Sequence, residues 1–370
     1  MGRAGAGAQS AGWDASAALH NPASMSHVDG NQLLVSGGIV SAELEFDVEQ
    51  TTPLNGFGDG GEAGSTAPVA STFYVRHLSD DWTFGISFTG LTGAVLDYDD
   101  GWAGRFQDEE VELLGLVLMP SIAYRLNDHV SFGFGLPVMY SDLNLEVAVP
   151  SPDPLLPDGR ATIDGDDTVV SFNLSTLIEF SETSRLGIVY QHEFDVTYSG
   201  DVEIDPIGLA VGSDTDLMLA SLVRVSFTQE MSDDLTVHLT VGWDDWSALE
   251  NINISTQSGG ATLPRNWDDT YHVAWGFDYR FNPKWQMRGG VAYDTNPVDK
   301  EDRTADMPMD RQVRYALGAG YNPSDKLSIG AELVYADYGS AKIDAMGYGG
   351  EYDSNDIIFF SVNANWKLGK

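Results

Sequence analysis

Residues 268–296 read DDTYHVAWGFDYRFNPKWQMRGGVAYDTN and contain two alternating runs on either side of a short polar turn. Before the turn at Asn282-Pro283-Lys284, Tyr271, Val273 and Trp275 alternate with small or polar residues, and the same period resumes after it. Successive side chains of a β-strand point to opposite faces, so a period of two predicts strands with one apolar face. The stretch therefore predicts an antiparallel hairpin of two long strands.

The same hairpin unit recurs along most of the chain. Short polar turns lie at 79–81, 127–128, 181–184, 232–234, 282–284 and 322–325. We predict fourteen strands, at 31–47, 67–79, 82–98, 110–126, 129–148, 167–181, 184–204, 215–231, 234–255, 268–282, 284–296, 310–322, 326–344 and 353–369. Longer segments rich in Gly, Pro and Asp join one hairpin to the next. Short turns on one side and long loops on the other are typical of outer-membrane β-barrels.

Two architectures explain such alternation, a soluble sandwich with a buried apolar face and a membrane barrel whose apolar face meets lipid. Many of the predicted strands exceed the five or six residues usual in soluble sheets, and aromatic residues lie near strand ends, where membrane interfaces favour them. The mean hydropathy of −0.17 is compatible with a barrel, since a barrel strand shows lipid only every second side chain. We therefore predict an all-β fold, a 14-stranded antiparallel transmembrane β-barrel over residues 31–370.

Residues 1–30 differ from the rest of the chain because they are rich in Ala, Gly and Ser and lack the period of two. A short helix is predicted over 13–19, and Asn21-Pro22 would end it, because residues before proline avoid helical geometry. We interpret the segment as a small N-terminal hatch, or plug, inside the barrel. Asn21, Pro22 and Ala23 would form its latch, or simply a helix stop.

Charge and composition exclude several classes of function. With 56 acidic against 19 basic residues the net charge is −37, which argues against nucleic-acid binding, and the absence of cysteine excludes disulfides and thiolate chemistry. No cofactor and no dedicated metal site is predicted. A solvated acidic surface is the simplest interpretation of the charge, although the Asp-rich spots at 97–100 and 164–167 are alternative places for divalent cations.

An enzyme is not predicted. Histidines are present, but no serine lies in a G-x-S-x-G context that would support a nucleophile. The loop at 56–61 matches G-x-G-x-x-G, yet no helix pattern follows it, so it is not a nucleotide site.

Several separated motifs resemble the long-chain fatty acid outer-membrane transporter (FadL / OmpP1 / TodX) family. In order along the sequence, these motifs cover most of the chain. Each motif alone is weak evidence for the family, and together they are specific. They are the small-residue opening at 5–8, Asp14-Ala15-Ser16, Asn21-Pro22-Ala23-Ser24-Met25, the stretch 119–128, Trp243 to Trp246, the stretch 266–272, Tyr279-Arg280-Phe281-Asn282, the stretch 288–294 and Pro297-Val298. The chain departs from common barrel proteins at its end, which reads Trp366-Lys367-Leu368-Gly369-Lys370 rather than closing on an aromatic residue.

The resemblance implies energy-independent uptake of a hydrophobic ligand such as a fatty acid, detergent or hydrocarbon. Cargo would be captured among extracellular loops, pass the hatch and leave sideways through a wall gap at an inward kink of the third strand. Long-chain fatty acids, alkanes and monoaromatic hydrocarbons remain alternative cargoes. A general diffusion porin is the second alternative, although the hatch and apolar lumen positions such as Leu177 and Leu222 argue against it.

Three sets of residues are candidates for these steps, and each has a purely structural alternative. Gly90, Leu91, Thr92 and Gly93 would form the third-strand kink or lateral gate, because glycines in a strand often mark bends. The capture groove would comprise Leu155, Leu156, Ile207, Leu209 and Val211, since exposed apolar clusters tend to mark binding surfaces. Lumen candidates for a carboxylate head group are Arg224, Arg288 and Arg314, which could instead pair with acids such as Glu193, Asp278 and Glu332.

The chain begins Met1-Gly2-Arg3 with no apolar signal segment, so we infer a mature or engineered start for a protein that must reach the bacterial outer membrane. There we expect a monomer in contact with outer-membrane lipid and lipopolysaccharide.

Overall fold

A single antiparallel sheet curls round and closes on itself in the computed structural model, which describes residues 1–151, 153, 156–205, 207–257 and 259–369. Closure is made by the first and last strands, which pair antiparallel from Asn31 opposite Gly369 to Thr51 opposite Tyr348. Because the two ends of the sheet pair with each other, each barrel strand in the described residues has a hydrogen-bonded neighbour on both sides, as a barrel in lipid requires.

The elements follow one another along the chain with few helices. The helical elements are α1 (Ala17–His20) and two 3-10 helices (Pro22–His27 and Trp246–Ala248). The strands are β1 (Asn31–Thr51), β2 (Thr66–His77), β3 (Trp82–Asp97), β4 (Glu110–Asn127), β5 (Val130–Gly135), β6 (Val138–Val149), β7 (Gly159–Val170), β8 (Asn173–Ser181), β9 (Ser184–Gln191), β10 (Phe194–Asp205), β11 (Leu209–Leu219), β12 (Leu222–Glu230), β13 (Leu235–Asp244), β14 (Asn251–Thr256), β15 (Gly259–Pro264), β16 (Thr270–Asn282), β17 (Trp285–Asp294), β18 (Gln312–Ser324), β19 (Leu327–Asp337), β20 (Ile343–Ala345) and β21 (Tyr348–Gly369).

These segments make fourteen barrel strands within the described residues, which confirms the predicted 14-stranded antiparallel barrel. Six pairs of consecutive segments, from β5–β6 to β15–β16, are single strands with a short interruption, and β20 is a three-residue segment in a loop. In the first pair, β5 and β6 both align with β4 on either side of Leu136-Pro137, where proline lacks the N–H that a ladder needs.

The apolar face of the wall is the exposed one. In β16, Trp275 is 50% exposed, whereas His272 and Asp278 on the opposite face are 7% and 8% exposed. A soluble sandwich would bury the tryptophan and expose the charged groups, so this arrangement decides between the two architectures that the alternation left open. Lipid-facing apolar residues outside and polar residues inside are the arrangement of a membrane barrel.

Four strands begin clearly earlier than the sequence predicts, among them β15 at Gly259 rather than at 268 and β21 at Tyr348 rather than at 353. β7 begins at Gly159 rather than at 167, and β11 begins at Leu209 rather than at 215. In this part of the wall the polarity is reversed, since inward-facing Tyr198 and Leu217 are 2% and 5% exposed while Asp166 and Asp214 point outward. Water rather than lipid surrounds strands with an acidic outer face, so these extensions lie beyond the membrane, at the end of the barrel that carries the long loops.

The helix predicted at 13–19 is shorter in the structure. α1 covers only four residues, and the 3-10 helix that begins at Pro22 follows it directly. None of the helices in the described ranges combines the length and the apolar character needed to cross a membrane.

Candidate functional site

The N-terminal segment, residues 1–30, packs against the inner wall through hydrogen bonds to several strands. The Gly7 N–H donates to Thr240 Oγ1 (2.9 Å), the Ala23 N–H donates to Ser175 Oγ (3.1 Å), and Ser26 Oγ donates to Ser131 Oγ (2.8 Å). These partners lie on β13, β8 and β5, so the segment touches well-separated parts of the wall.

An ion-pair cluster holds the start of the segment. Arg3 Nη1 donates to Asp278 Oδ2 (2.9 Å), and the Arg288 Nε lies 3.6 Å from the other oxygen of the same carboxylate. The Arg3 guanidinium also lies 5.2 Å from the ring centre of Trp13, in the same segment. Asp278 therefore joins the N-terminal segment to β16 and β17 with charge-assisted contacts, which are stronger than neutral hydrogen bonds.

Asn21, Pro22 and Ala23 lie at the centre of the segment and are buried. The Asn21 side chain donates to the backbone carbonyl of Gln9 (2.6 Å) and to that of Thr176 in the wall (3.2 Å). Pro22 is the first residue of the 3-10 helix. A backbone N–H at that position would have no partner within the helix, so proline loses no hydrogen bond there. Asn21 thus ties two parts of the segment to each other and to β8.

Several glycines of the barrel strands lie against the N-terminal segment, which occupies the space that a larger side chain would fill. A Cβ placed on Gly187 would lie 1.9 Å from the Gln9 carbonyl oxygen, and one on Gly290 would lie 2.3 Å from that of Arg3. One on Gly133 would lie 2.2 Å from the Ala23 nitrogen. We call Gly133, Gly187 and Gly290 the wall glycines. Their spacing in the sequence gave no sign of this role, because inward and lipid-facing glycines look alike in an alternating pattern.

The third barrel strand carries a β-bulge at the predicted glycine-rich stretch. Gly90 pairs with Leu116 and Thr92 with Gly115, so Leu91 is an extra residue in β3 and bends the strand. Leu91 is 48% exposed, and a Cβ placed on Gly90 would meet no heavy atom within 4 Å.

Above this bulge the backbone ladder between β2 and β3 is missing. The register runs only from His77–Thr83 to Ser71–Thr89, whereas residues 66–70 of β2 continue to pair with β1. The next backbone bond joins the Asp97 N–H to the Ala63 carbonyl (3.0 Å). We call the interval between residues 66–70 and 90–96 the ladder gap.

Each of the three candidate arginines has an acidic partner. Arg224 Nη2 donates to both carboxylate oxygens of Asp244 at 2.9 Å, and Arg288 Nη1 donates to Glu332 at 3.1 Å. Arg314 donates to Asp294. Of the acids named from the sequence, Glu332 belongs to one of these pairs and Asp278 lies 3.6 Å from Arg288 Nε, whereas Glu193 accepts from Ser221.

The candidate capture residues lie at neighbouring strand tips but differ in environment. Leu156 and Ile207 are 61% and 71% exposed. Leu156 precedes β7 and Ile207 follows β10, and these two strands pair at this end, where Arg160 lies opposite Asp205. Leu209 and Val211 belong to β11 and not to a loop, so the alternation of that strand already explains their apolar character. Leu155 lies outside the described residues.

A buried aromatic cluster that the sequence did not predict lies at the long-loop end. We call Phe46, Tyr98, Trp102, Tyr348 and Tyr352 the aromatic cap; all are at most 3% exposed. The Tyr98 and Trp102 rings stack with centroids 4.2 Å apart, and the Tyr98 and Tyr352 hydroxyls lie 2.6 Å apart. Only Tyr98 and Trp102 lie in a loop, between β3 and β4, whereas Phe46 belongs to β1 and the two other tyrosines to β21, so no local signal in the sequence indicates the cluster.

Asp108 is buried beside the aromatic cap. Its backbone carbonyl accepts from Trp102 Nε1 (2.7 Å), but neither side-chain oxygen has a hydrogen-bond partner among the described residues. Burial raises the pKa of the Asp108 carboxyl well above its ordinary value, and the nearby Asp306 carboxylate raises it further. No group of three or more His, Asp or Glu in the described residues could hold a metal ion.

Replacing Asp108 with Asn should stabilise the long-loop end at neutral pH. Because the folded pKa is raised, the carboxyl favours the folded loops most below its unfolded pKa of about 3.9, and this contribution is lost as the pH rises toward the folded pKa. Hydrogen exchange of the loops at pH 5 and pH 8 should therefore slow in Asp108→Asn, mainly at pH 8. Asp100→Asn is the control, since its side chain is 93% exposed; equal slowing in both variants would contradict the role of burial.

A closed barrel with a lipid-compatible outer face and an N-terminal segment against its inner wall defines an outer-membrane β-barrel. The chain belongs to the family described as "Outer membrane protein transport protein (OMPP1/FadL/TodX)", whose model matches residues 1–366. It is 25% identical to the long-chain fatty acid transport protein of Salmonella typhi, over 99% of this chain and 91% of that relative.

Solved structures show the same fold. A Pseudomonas aeruginosa FadL homologue has a TM-score of 0.92 at 20% identity, over 99% of this chain and 97% of that one. The Pseudomonas putida toluene transporter TodX has a TM-score of 0.75 at 16% identity, over 100% of this chain and 99% of that one.

Proposed function

We propose that this chain is a passive channel for hydrophobic molecules, which enter at the long loops, pass the N-terminal segment and leave sideways through the ladder gap. The ladder gap carries the proposal. An unpaired backbone group in lipid costs several kcal/mol. A missing ladder in a barrel wall is therefore expected only where the opening serves a function. An apolar solute gains from that opening because it is released into the bilayer without crossing water.

The N-terminal segment acts as the hatch in this proposal. It is held to β5, β8, β13 and β16 by hydrogen bonds and ion pairs, and in this role it narrows the aqueous passage that a small solute would follow. This argues for selective passage of apolar molecules over a general diffusion porin.

Two classes of cargo fit the proposal. A long-chain fatty acid is suggested by the name of the Salmonella relative, and an uncharged hydrocarbon by that of the Pseudomonas putida transporter. The paired state of Arg224, Arg288 and Arg314 favours the uncharged class, because a fatty acid carboxylate would have to displace an existing acid. We propose monomers surrounded by lipopolysaccharide as the working form.

Expression of the chain in cells that lack their own hydrophobic uptake channels should raise the initial rate of uptake of labelled oleate, hexadecane or toluene several-fold. The order of the three rates identifies the cargo class. Unchanged uptake of all three, together with large steady ion currents in a planar bilayer, would replace the proposal with a porin.

The same uptake assay tests capture at the loops with the double variant Leu156→Asp, Ile207→Asp. Charged side chains at two exposed apolar tips should lower uptake most at low cargo concentration. The matched control is Leu156→Met, Ile207→Met, which keeps the surface apolar and should retain the parent rate.

A further inference from the structure

A cavity lined by polar residues lies in the water-surrounded part of the wall, where β14 ends beside β11. β11 pairs with β10 from Leu209 to Leu219, but β14 pairs with β11 only from Ser213 to Asp216. Beyond this point the chain turns back from β14 into β15, and no strand of the described residues pairs with 209–212 on this side. The cavity at this step measures about 430 Å³, and we call it the polar notch.

The polar notch has no apolar side chain in its lining. Its eight described residues are three serines, two glycines, one threonine, one glutamine and one aspartate. An apolar molecule would therefore gain little there, and an anion would meet a carboxylate but no Lys or Arg. One carboxylate is also a poor cation site, since calcium and magnesium sites draw on several oxygen ligands of which more than one is usually acidic. A neutral molecule rich in hydroxyls is the class that matches these groups.

Three of the lining side chains form one row across three strands. Ser199 on β10 lies opposite Asp214 on β11, which lies opposite Ser255 on β14, and all three are exposed. Ser199 Oγ donates to Asp214 Oδ1 (2.8 Å), whereas Oδ2 accepts no hydrogen bond within the described residues. Opposite residues lie roughly 5 Å apart, so the row presents hydrogen-bonding groups over roughly 10 Å. Hydroxyls both donate and accept, and a hydroxyl that donates to a carboxylate makes a charge-assisted bond, so the row suits a ligand with several hydroxyls.

Glycine leaves the notch accessible to a ligand. Gly212 lies on the same face of β11 as Asp214, and a Cβ placed there would meet only the Gly200 carbonyl oxygen, at 3.9 Å. A ligand can therefore approach the backbone of β11 closely, and a large side chain at 212 would fill the space instead. On the inner side of the same strand, Ser213 is 6% exposed, and its hydroxyl has no hydrogen-bond partner among the described residues.

We propose that the polar notch is a binding site for a neutral saccharide, a ring that carries several adjacent hydroxyls. Its volume falls within the range of about 300–1,000 Å³ typical of ligand sites. The sugar chains of lipopolysaccharide project from the outer leaflet, on the side of the membrane where these strand extensions lie, and free oligosaccharides carry the same chemistry. The inference goes beyond the proposed transport function, because it concerns the outside of the wall and not the path of the cargo.

Saturation-transfer NMR on the full chain in lipid nanodiscs tests the site, with neutral oligosaccharides of glucose and galactose as probes. The parent should show saturable transfer to the sugar ring protons. Gly212→Phe should weaken binding at least tenfold, because the added ring fills the notch. Asp214→Ala should weaken it several-fold, since it removes the charged acceptor of the row. Both positions face outward, so the barrel is expected to fold, and retained heat-modifiability on a gel checks this.

The source of the saccharide is identified by copurified lipopolysaccharide. The chain is expressed in cells that make either full-length sugar chains or a form truncated next to the lipid. Lower retention of the full-length form alone in Gly212→Phe assigns the notch to the surrounding lipopolysaccharide. Equal retention of both forms in parent and variant, together with oligosaccharide binding that Gly212→Phe weakens, assigns it to free saccharides.

Ala210→Phe is the matched control. Ala210 lies on the same face of β11, two residues from Gly212, is exposed and does not line the notch. Binding at the parent level in this variant supports the site. The proposal is overturned by an equal loss in Ala210→Phe and Gly212→Phe. It is also overturned if the parent binds none of the oligosaccharides and retains full-length lipopolysaccharide no better than Gly212→Phe does.

Discussion

Cross-linking β2 to β3 across the ladder gap should abolish uptake of apolar cargo while the barrel stays folded. Ala70 and Gly90 are the next positions beyond the last cross-strand pair, Ser71–Thr89. A side chain at Gly90 meets no neighbour within 4 Å, so Ala70→Cys, Gly90→Cys should be tolerated. The parent chain contains no cysteine, and only the introduced pair can react.

The measurement is uptake of the preferred cargo before and after a short bis-maleimide bridge is formed. The physical reason for a loss is steric, because the bridge spans the interval through which the solute would pass. Thr72→Cys, Phe88→Cys is the control, since this pair lies on the same face of the same two strands where the ladder is intact. Full uptake in the bridged 70–90 variant would exclude exit at this place and leave the barrel assignment untouched.

Replacing a wall glycine with valine should turn the closed channel into an ion-conducting pore. At Gly187 and Gly290 an added Cβ would lie 1.9 and 2.3 Å from backbone oxygens of the N-terminal segment. Backbone cannot move aside as a flexible side chain does, and overpacking costs typically 1–3 kcal/mol or more. Displacement of the segment is therefore expected in Gly187→Val and Gly290→Val.

Planar-bilayer recordings should show large steady currents in both variants and little current in the parent. Trypsin should also cut after Arg3, which the ion pair with Asp278 otherwise holds at the wall. Gly37→Val is the control, because Gly37 lies in β1 with nothing within 4 Å of an added Cβ. Cleavage at Arg3 without a rise in conductance would mean that the segment does not block the lumen.

The alternation of side chains predicted the barrel well because each strand carries its own signal. Trp275 and its lipid-facing neighbours are apolar wherever lipid surrounds the wall, and His272 and Asp278 mark the inner face. The same rule failed at the start of β7 and of β11. There water surrounds the strand, the outer face is acidic, and Gly212-Ser213-Asp214 resembles a loop although it continues a strand.

The candidate site was less predictable, because its contacts join residues far apart in the chain. Gly90 to Gly93 could be singled out, since glycines in a strand are a local signal, and the bulge falls there. The contact of Arg3 with Asp278 could not, because the two residues lie 275 positions apart in the chain. Pairing of Arg224 with an acid was one of two alternatives, but its partner Asp244, on the next strand, was not among the acids named from the sequence.

The pairing of β1 with β21 sets an order for assembly. The seam from Asn31–Gly369 to Thr51–Tyr348 joins the two ends of the sheet, so the wall cannot be sealed until the last strand of the chain is available. Residues 1–30 come directly before that seam, and their hydrogen bonds reach β5, β8 and β13. We expect the segment to meet these partners as the sheet curls round it, so that its placement is a product of folding.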